Sequence, residues 1–255
     1  MMISTELQAI YVMWIRQLKR FVRARSRLIA NIVQPFFFLA FLGIGFQSVR
    51  FPGLANNLSY IDFLAPGMIT MSVIFSSMFA GVSVIWDRQF GFLKEVLVAP
   101  VSRLSIVIGR IIGGSTVAVI QGLIILGISL ALGVRILPLG ILPSIIFMIL
   151  TAFFSAGLGL AIASKLEDFH GFQLIMNLIM MPLIFLSTAF FPIESVPSWM
   201  KFVIRVNPLA YSVDGLRGCL IGLSSFSLPV DLTVMTILCT ITVVLGAYLF
   251  NRCEV

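Results

Sequence analysis

The sequence predicts an all-α polytopic membrane protein: six transmembrane helices, an N-terminal amphipathic interfacial helix, and two short outer-side helices before the last span. Three observations predict this. First, 60% of the 255 residues are hydrophobic and only 11% are charged, too little polar surface to cover a water-soluble globule, so the bilayer is the main solvent. Second, the apolar residues fall into long runs separated by charge clusters, which leaves no stretch for a separate aqueous domain. Third, the basic residues behind the net charge of +7 sit at the ends of those runs, where membrane flanks carry positive charge. Nucleic acid is therefore not an expected partner.

The first element covers residues 1–27. Leu7, Ile10, Tyr11, Trp14, Leu18 and Phe21 fall on one helical face, and Arg16, Arg20, Arg23 and Arg27 on the other, the pattern of a helix lying in the membrane interface. Such a helix serves as an anchor for the first span, and its polar face could also meet a cytoplasmic partner. No small-residue cleavage pattern follows the first apolar run, so no cleavable signal peptide is expected.

A six-helix transmembrane domain over residues 28–255 follows, with spans at about 28–49, 63–84, 104–131, 139–163, 172–190 and 232–250. Each is long enough to cross a hydrocarbon core of roughly 30 Å at about 1.5 Å per residue. Arg110 is the one formally charged residue inside these limits, two turns into the third span, and is expected to snorkel back to the cytoplasmic interface. Gly109 and Gly113, and then Ala156, Gly157, Gly159 and Ala161, mark close helix packing.

Orientation follows from the basic residues. Arg16, Lys19, Arg20, Arg23, Arg25, Arg27, Arg88, Lys94, Arg103, Arg110, Lys165 and Arg252 fall on one side, and Arg50, Arg135, Lys201, Arg205 and Arg217 on the other. The richer side is cytoplasmic, which places both termini inside.

Between the fifth and sixth spans, Pro192, Pro197, Pro208 and Gly222 interrupt the apolar pattern. Two short outer-side helices are expected, at about 197–206 and 208–221, with Asn207 as N-cap, Pro208 at the first helical position and Gly222 ending the second. Asp214 and Arg217, three apart, are expected to pair along one face.

The residues that carry chemistry in enzymes are scarce. There is no Gly-x-x-x-x-Gly-Lys-Ser/Thr loop to cradle phosphates, and no Asp or Glu falls within the predicted span limits, which argues against coupling to an ion gradient. His170, beside Glu167 and Asp168 in a cytoplasmic loop, reads as a solvated residue. Cys219, Cys239 and Cys253 have neither metal-site nor redox spacing. No catalytic, cofactor or metal residues are assigned.

The loop from Trp86 to Arg103 mixes Asp87, Arg88, Lys94 and Glu95 with Phe90, Phe92, Leu93, Val96 and Leu97. By itself this mix suits either an amphipathic loop resting on lipid or a helix docking into a partner's groove. The run Gly91-Phe92-Leu93-Lys94-Glu95-Val96-Leu97-Val98-Ala99-Pro100-Val101-Ser102-Arg103, followed by Gly109-Arg110, resembles the loop after the second span in type-two ABC transporter permeases, particularly their daunorubicin-resistance-like branch. The run Asn207-Pro208-Leu209-Ala210-Tyr211-Ser212-Val213-Asp214-Gly215-Leu216-Arg217-Gly218 is similar to that family's signature before the last span. With the matching span order, the resemblance covers essentially the whole chain.

The resemblance implies a multi-pass subunit of the cytoplasmic membrane, paired with a second permease copy or a related chain and seated on a separate cytoplasmic ABC ATPase. ATP and Mg would be bound by that ATPase, and this chain would bind no cofactor. Arg88, Gly91, Leu93, Lys94, Glu95, Pro100, Ser102 and Arg103 would form the coupling segment, with Glu167 and Asp168 as further contacts. The outer-helix signature is Asn207, Pro208, Tyr211, Asp214, Arg217 and Gly218. In relatives the first, second and fifth spans line the pathway, which points to Phe37, Phe41, Met68 and Met180, with Phe36, Phe38, Met71, Met176 and Met181 around them. Such surface suits a hydrophobic drug, antibiotic or lipid-like cargo. A polysaccharide or lipo-oligosaccharide exporter of the same family is the nearest alternative; an ion-coupled transporter or channel, and a membrane scaffold, are the others.

Overall fold

A computed structural model describes residues 2–46, 58–92, 98 and 101–252, and the described residues build an all-α polytopic membrane protein. Helix α1 spans Met2–Arg23 and α2 spans Arg25–Phe38, continued by a π-helical turn at Leu39–Gly43. Then come α3 (Tyr60–Gln89), α4 (Arg103–Ala131), α5 (Ile141–Ala163), α6 (Phe169–Phe185), α7 (Ser198–Val206), α8 (Pro208–Ile221) and α9 (Leu228–Asn251). Helices α3, α4, α5 and α9 are long and apolar enough to cross a membrane, while Ile29–Gly43 and Phe169–Phe185 are shorter apolar helices.

Local chemistry explains the element limits. Ser59 and Asp62 form a reciprocal capping box at the start of α3, and the other oxygen of Asp62 accepts from the Arg135 backbone N–H at 2.7 Å, tying the start of α3 to the chain just after α4. The Ser102 side chain caps α4 through the Ser105 N–H, and Asp168 caps α6 through the Gly171 N–H. The predicted caps of α8 are present: Asn207 accepts from the Leu209 N–H, Pro208 opens the helix, and Gly222 closes it at φ 71°.

Helix α5 is the central element, packed between α3 and α9, with α4 against both α3 and α5. Small residues make this possible. A Cβ at Gly81 would lie 2.3 Å from the Gly159 carbonyl oxygen, and one at Gly157 would lie 2.7 Å from the Thr242 backbone. Only hydrogen fits at these crossings.

Four expectations need correction. Arg110 does not snorkel: it is 1% exposed and ion-paired inside the helix bundle. Asp87 is not a loop residue but lies in the last turn of α3, 1% exposed. The predicted span limits missed acidic residues by a few positions, because α3 contains Asp62 and Asp87 and α9 contains Asp231, all buried. The fifth apolar helix ends at Phe185, short of residue 190, because the chain then turns through Thr188 at φ 62°. That turn is held from outside, as described next.

Candidate functional site

Helices α1, α3 and α4 meet around one carboxylate. Asp87 accepts from Arg16 at 2.6 and 3.0 Å, from Arg20 at 2.8 Å and from Arg110 at 2.7 Å. Arg110 also reaches the Ser83 hydroxyl at 3.3 Å. A carboxylate this deep needs compensating charge, and that need corrects the reading of α1. Arg16 and Arg20 of its basic face turn toward the protein, where Gln17 donates to Ser83 at 3.0 Å and Trp14, from the predicted apolar face, to Thr116 at 3.1 Å. Leu7, Tyr11 and Val12 are more than half exposed and face outward. Gly109 and Gly113 are the sites where α1 lies down on α4: a Cβ at Gly109 would meet Met13 at 2.7 Å, and one at Gly113 would meet Gln17 at 2.8 Å.

This knot holds both ends of the candidate coupling segment. At its start, Gly91 leaves α3 at φ 74°, and the Arg16 guanidinium lies 4.1 Å from the centre of the Phe92 ring. At its end, Glu6 of α1 accepts from the Ser102 N–H at 3.0 Å and from its hydroxyl at 2.8 Å. The Ser105 and Ser102 hydroxyls hold the Glu6 carboxyl below its ordinary value. Arg103 donates to the Asn251 carbonyl at 2.7 Å. Arg88 is half-buried and donates to the Leu166 carbonyl at 3.2 Å, and Gln89 reaches the Glu167 carbonyl at 3.3 Å. The end of α3 therefore rests against the loop between α5 and α6, where the Glu167 and Asp168 side chains are exposed. Leu93, Lys94, Glu95 and Pro100 lie outside the described residues. On either side of them, Phe90 is 83% and Val98 84% exposed, large apolar side chains at the surface.

At the opposite end of α3 from Asp87, Asp214 and Arg217 do not pair with each other as the spacing suggested. Asp214 instead accepts from the backbone N–H groups of Ser225 and Phe226 at 2.9 and 2.8 Å, closing the loop after α8. Arg217, 1% exposed, donates to the Thr188 carbonyl at 2.7 Å and lies 3.8 Å from the centre of the Phe63 ring. It thereby pins the turn that ends α6. The remaining signature residues also bind backbone or pack tightly. Asn207 donates to the Leu183 carbonyl at 2.6 Å and Tyr211 to the Arg205 carbonyl at 2.6 Å, while a Cβ at Gly218 would meet Leu228 at 2.8 Å. Pairing along one helix face lost out because buried backbone groups at loops demand partners first.

Between α2, α3 and α6 lies a cavity of about 350 Å³. Of the pathway residues, Met71, Met176 and Met180 line it. Met68 is fully buried beyond it. Phe37 and Phe41 stack on each other at 5.4 Å and, like Phe36 and Met181, are exposed on the outer surface; Phe38 packs against Phe190. The sequence reading missed the cavity's polar lining: Asn31, Gln34, Gln173 and Asn177, with Ser72 beside them. Their signal was present as two carboxamide pairs, spaced three and four residues apart in otherwise apolar helices. A search confined to formal charges passes over it.

A family model described as ABC-2 type transporter matches residues 8–221. A transport permease ycf38 of Cyanophora paradoxa is 30% identical over 215 residues, covering 83% of this chain and 73% of that protein. The doxorubicin resistance ABC transporter permease protein DrrC of Mycobacterium tuberculosis is 26% identical over 241 residues, covering 91% and 85%. Nodulation protein J of Rhizobium meliloti is 27% identical over 201 residues, covering 78% and 76%.

Proposed function

Because this chain belongs to the ABC-2 type transporter family, we propose that it is the membrane-spanning permease subunit of an ATP-driven exporter whose ATP and Mg are bound and hydrolysed by a separate cytoplasmic ABC ATPase. It works as one of a pair, with a second copy or a related permease, and carries a hydrophobic drug, antibiotic or lipid-like molecule outward across the cytoplasmic membrane. Both termini face the ATPase side.

The observation that carries this reading is the extent of the family match, which runs from α1 through α8 and includes both the 91–103 and the 207–218 segments. The relative named for doxorubicin resistance supports a hydrophobic cargo. The exposed Phe90 and Val98 support a docking role for the segment between them, since a partner would take such side chains out of water. Nucleotide-driven movement of the ATPase does work on the permease only if the two touch differently in the two states. The Arg16–Phe92 and Glu6–Ser102 contacts would pass that movement to α1 and α4.

The test is reconstitution with a cognate cytoplasmic ABC ATPase. Exchanging Leu93 and Glu95 should abolish cargo-stimulated hydrolysis and export while membrane insertion is retained. Unchanged hydrolysis and export in that variant would remove the coupling assignment. Uphill flux by this subunit alone in liposomes would remove the exporter reading.

A further inference from the structure

We propose that the cavity between α2, α3 and α6 binds an amphiphile whose head group is uncharged and rich in hydroxyl or amide groups, and selects it over a charged amphiphile with the same tail. The proposal rests on the exporter reading and names the chemistry of its cargo.

The first argument is where the carboxamides stand. Asn31 and Gln34 are three residues apart on α2, Gln173 and Asn177 are four apart on α6, and both pairs face the same cavity. Asn177 lies about 12 Å along α6 from the helix start at about 1.5 Å per residue, in the middle of an apolar helix. Gln34, Gln173 and Asn177 are exposed in the isolated chain, and none of the four side chains is hydrogen-bonded to a described residue. An amide facing lipid in that state is costly, so these faces must meet polar matter.

The second argument is independent. Ser72, on the α3 wall of the cavity, is 2% exposed, and its hydroxyl has no hydrogen-bond partner. Serines in membrane helices can satisfy themselves by bonding back to a carbonyl one turn earlier, as Ser129 and Ser164 do here. Ser72 does not, and its hydroxyl stays available to an occupant.

Third, among the described residues the lining contains no formally charged side chain. A cationic or anionic head would lose its water without gaining a counter-charge. A hydroxyl or amide head gains from carboxamides that both donate and accept. Met71, Met78, Met176 and Met180 supply adaptable apolar wall, and the volume falls within the usual range of small-molecule sites, roughly 300–1,000 Å³. The tail of the bound molecule then lies toward the exposed apolar residues of α2 and α6.

The experiment uses the full chain in nanodiscs without ATPase. Two photoactivatable probes share one diazirine-bearing dodecyl chain and differ in the head, one a maltoside and the other a trimethylammonium; crosslinked peptides are quantified by mass spectrometry. The maltoside probe should label residues 71–82 and 172–180 saturably, with an affinity about tenfold above that of the ammonium probe, the scale of one or two net hydrogen bonds. Replacing Gln173 and Asn177 together by Leu, which favours insertion, should bring the two probes to parity, and Asn177→Gln should keep the preference. Equal labelling of the wild type by both probes would overturn the proposal. So would a head preference that survives the double Leu variant. Loss of paired copies in that variant with head preference intact, read by mass photometry, would assign the carboxamides to a second copy of this chain and likewise overturn it. ATP-driven flux of the maltoside probe in the presence of the ATPase tests the exporter reading separately: selective labelling without flux would sink that reading and leave the site standing, and flux without selective labelling would do the reverse.

Discussion

Asp87 and Arg110 form an ion pair at 2.7 Å in which each side chain is 1% exposed. Arg16 and Arg20 reach the same carboxylate from α1, so the pair is also the hinge pin of the N-terminal helix. Replacing Asp87 by Asn leaves Arg110 buried without a counter-charge, which costs about 3–5 kcal/mol. Thermal unfolding in detergent should show a large fall in Tm for Asp87→Asn. Adding Arg110→Met should recover much of it, because Arg16 and Arg20, at 23% and 38% exposed, can turn to water. No recovery in the double variant would mean that the knot matters for some reason other than charge balance.

Thr188 adopts φ 62°, a left-handed conformation that costs a non-glycine residue about 1–2 kcal/mol, and its carbonyl is held by Arg217. Thr188→Gly keeps the carbonyl and relieves the backbone, so stability should stay level or rise by about 1 kcal/mol. Arg217→Met should lower it by about 1–3 kcal/mol by leaving that carbonyl unpaired. Denaturant titration of the two variants compares them directly.

Gly81 and Gly127 make a matched pair of controls. A methyl at Gly81 would strike the Gly159 carbonyl at 2.3 Å, whereas nothing lies within 4 Å of a Cβ at Gly127. Gly81→Ala should cost about 1–3 kcal/mol by forcing α3 and α5 apart. Gly127→Ala should be neutral or stabilising by up to about 1 kcal/mol. Similar Tm values for the two would contradict the close crossing.

The Glu6 clamp on Ser102 is pH-sensitive. Glu6 titrates below its ordinary value of 4.5 because the Ser105 and Ser102 hydroxyls favour its charged form. A depressed folded value means that the clamp contributes at and above neutrality and is lost as pH falls through that lowered value. Amide exchange at Ser102, corrected for its intrinsic pH dependence, should lose protection only as pH falls below the ordinary carboxylate range, and Glu6→Gln should remove that step. Protection that falls identically in both proteins would assign it to another group.

How much was legible depended on the range of the interaction that decides each feature. The α8 caps were readable because Asn207, Pro208 and Gly222 act within one turn. Gly157 and Gly159 were readable as packing sites, since little besides a close helix crossing rewards small residues in a span. The partners of Arg110, Arg217 and Asp214 were not readable, because each is set by a group from another element, and neighbours three residues away lost to buried carbonyls and N–H groups. The carboxamide-lined cavity was half legible: the spacing of Gln173 and Asn177 was present, but their convergence with Asn31 and Gln34 depends on how α2 and α6 meet.

The sequence alone determined that this chain lives in a bilayer, that its helices run where the apolar stretches do, that its basic flanks mark one side, and that two segments carry family signatures. Hydrophobic burial and local capping act over a few residues and need no knowledge of the fold. Only the tertiary structure decided that α1 turns Arg16 and Arg20 inward, that Asp87 gathers these two together with Arg110 of α4, and that neutral amides line the membrane cavity. Charge pairing and cavity shape depend on distances between residues far apart in the chain, and in a low-dielectric interior those distances decide which partner wins.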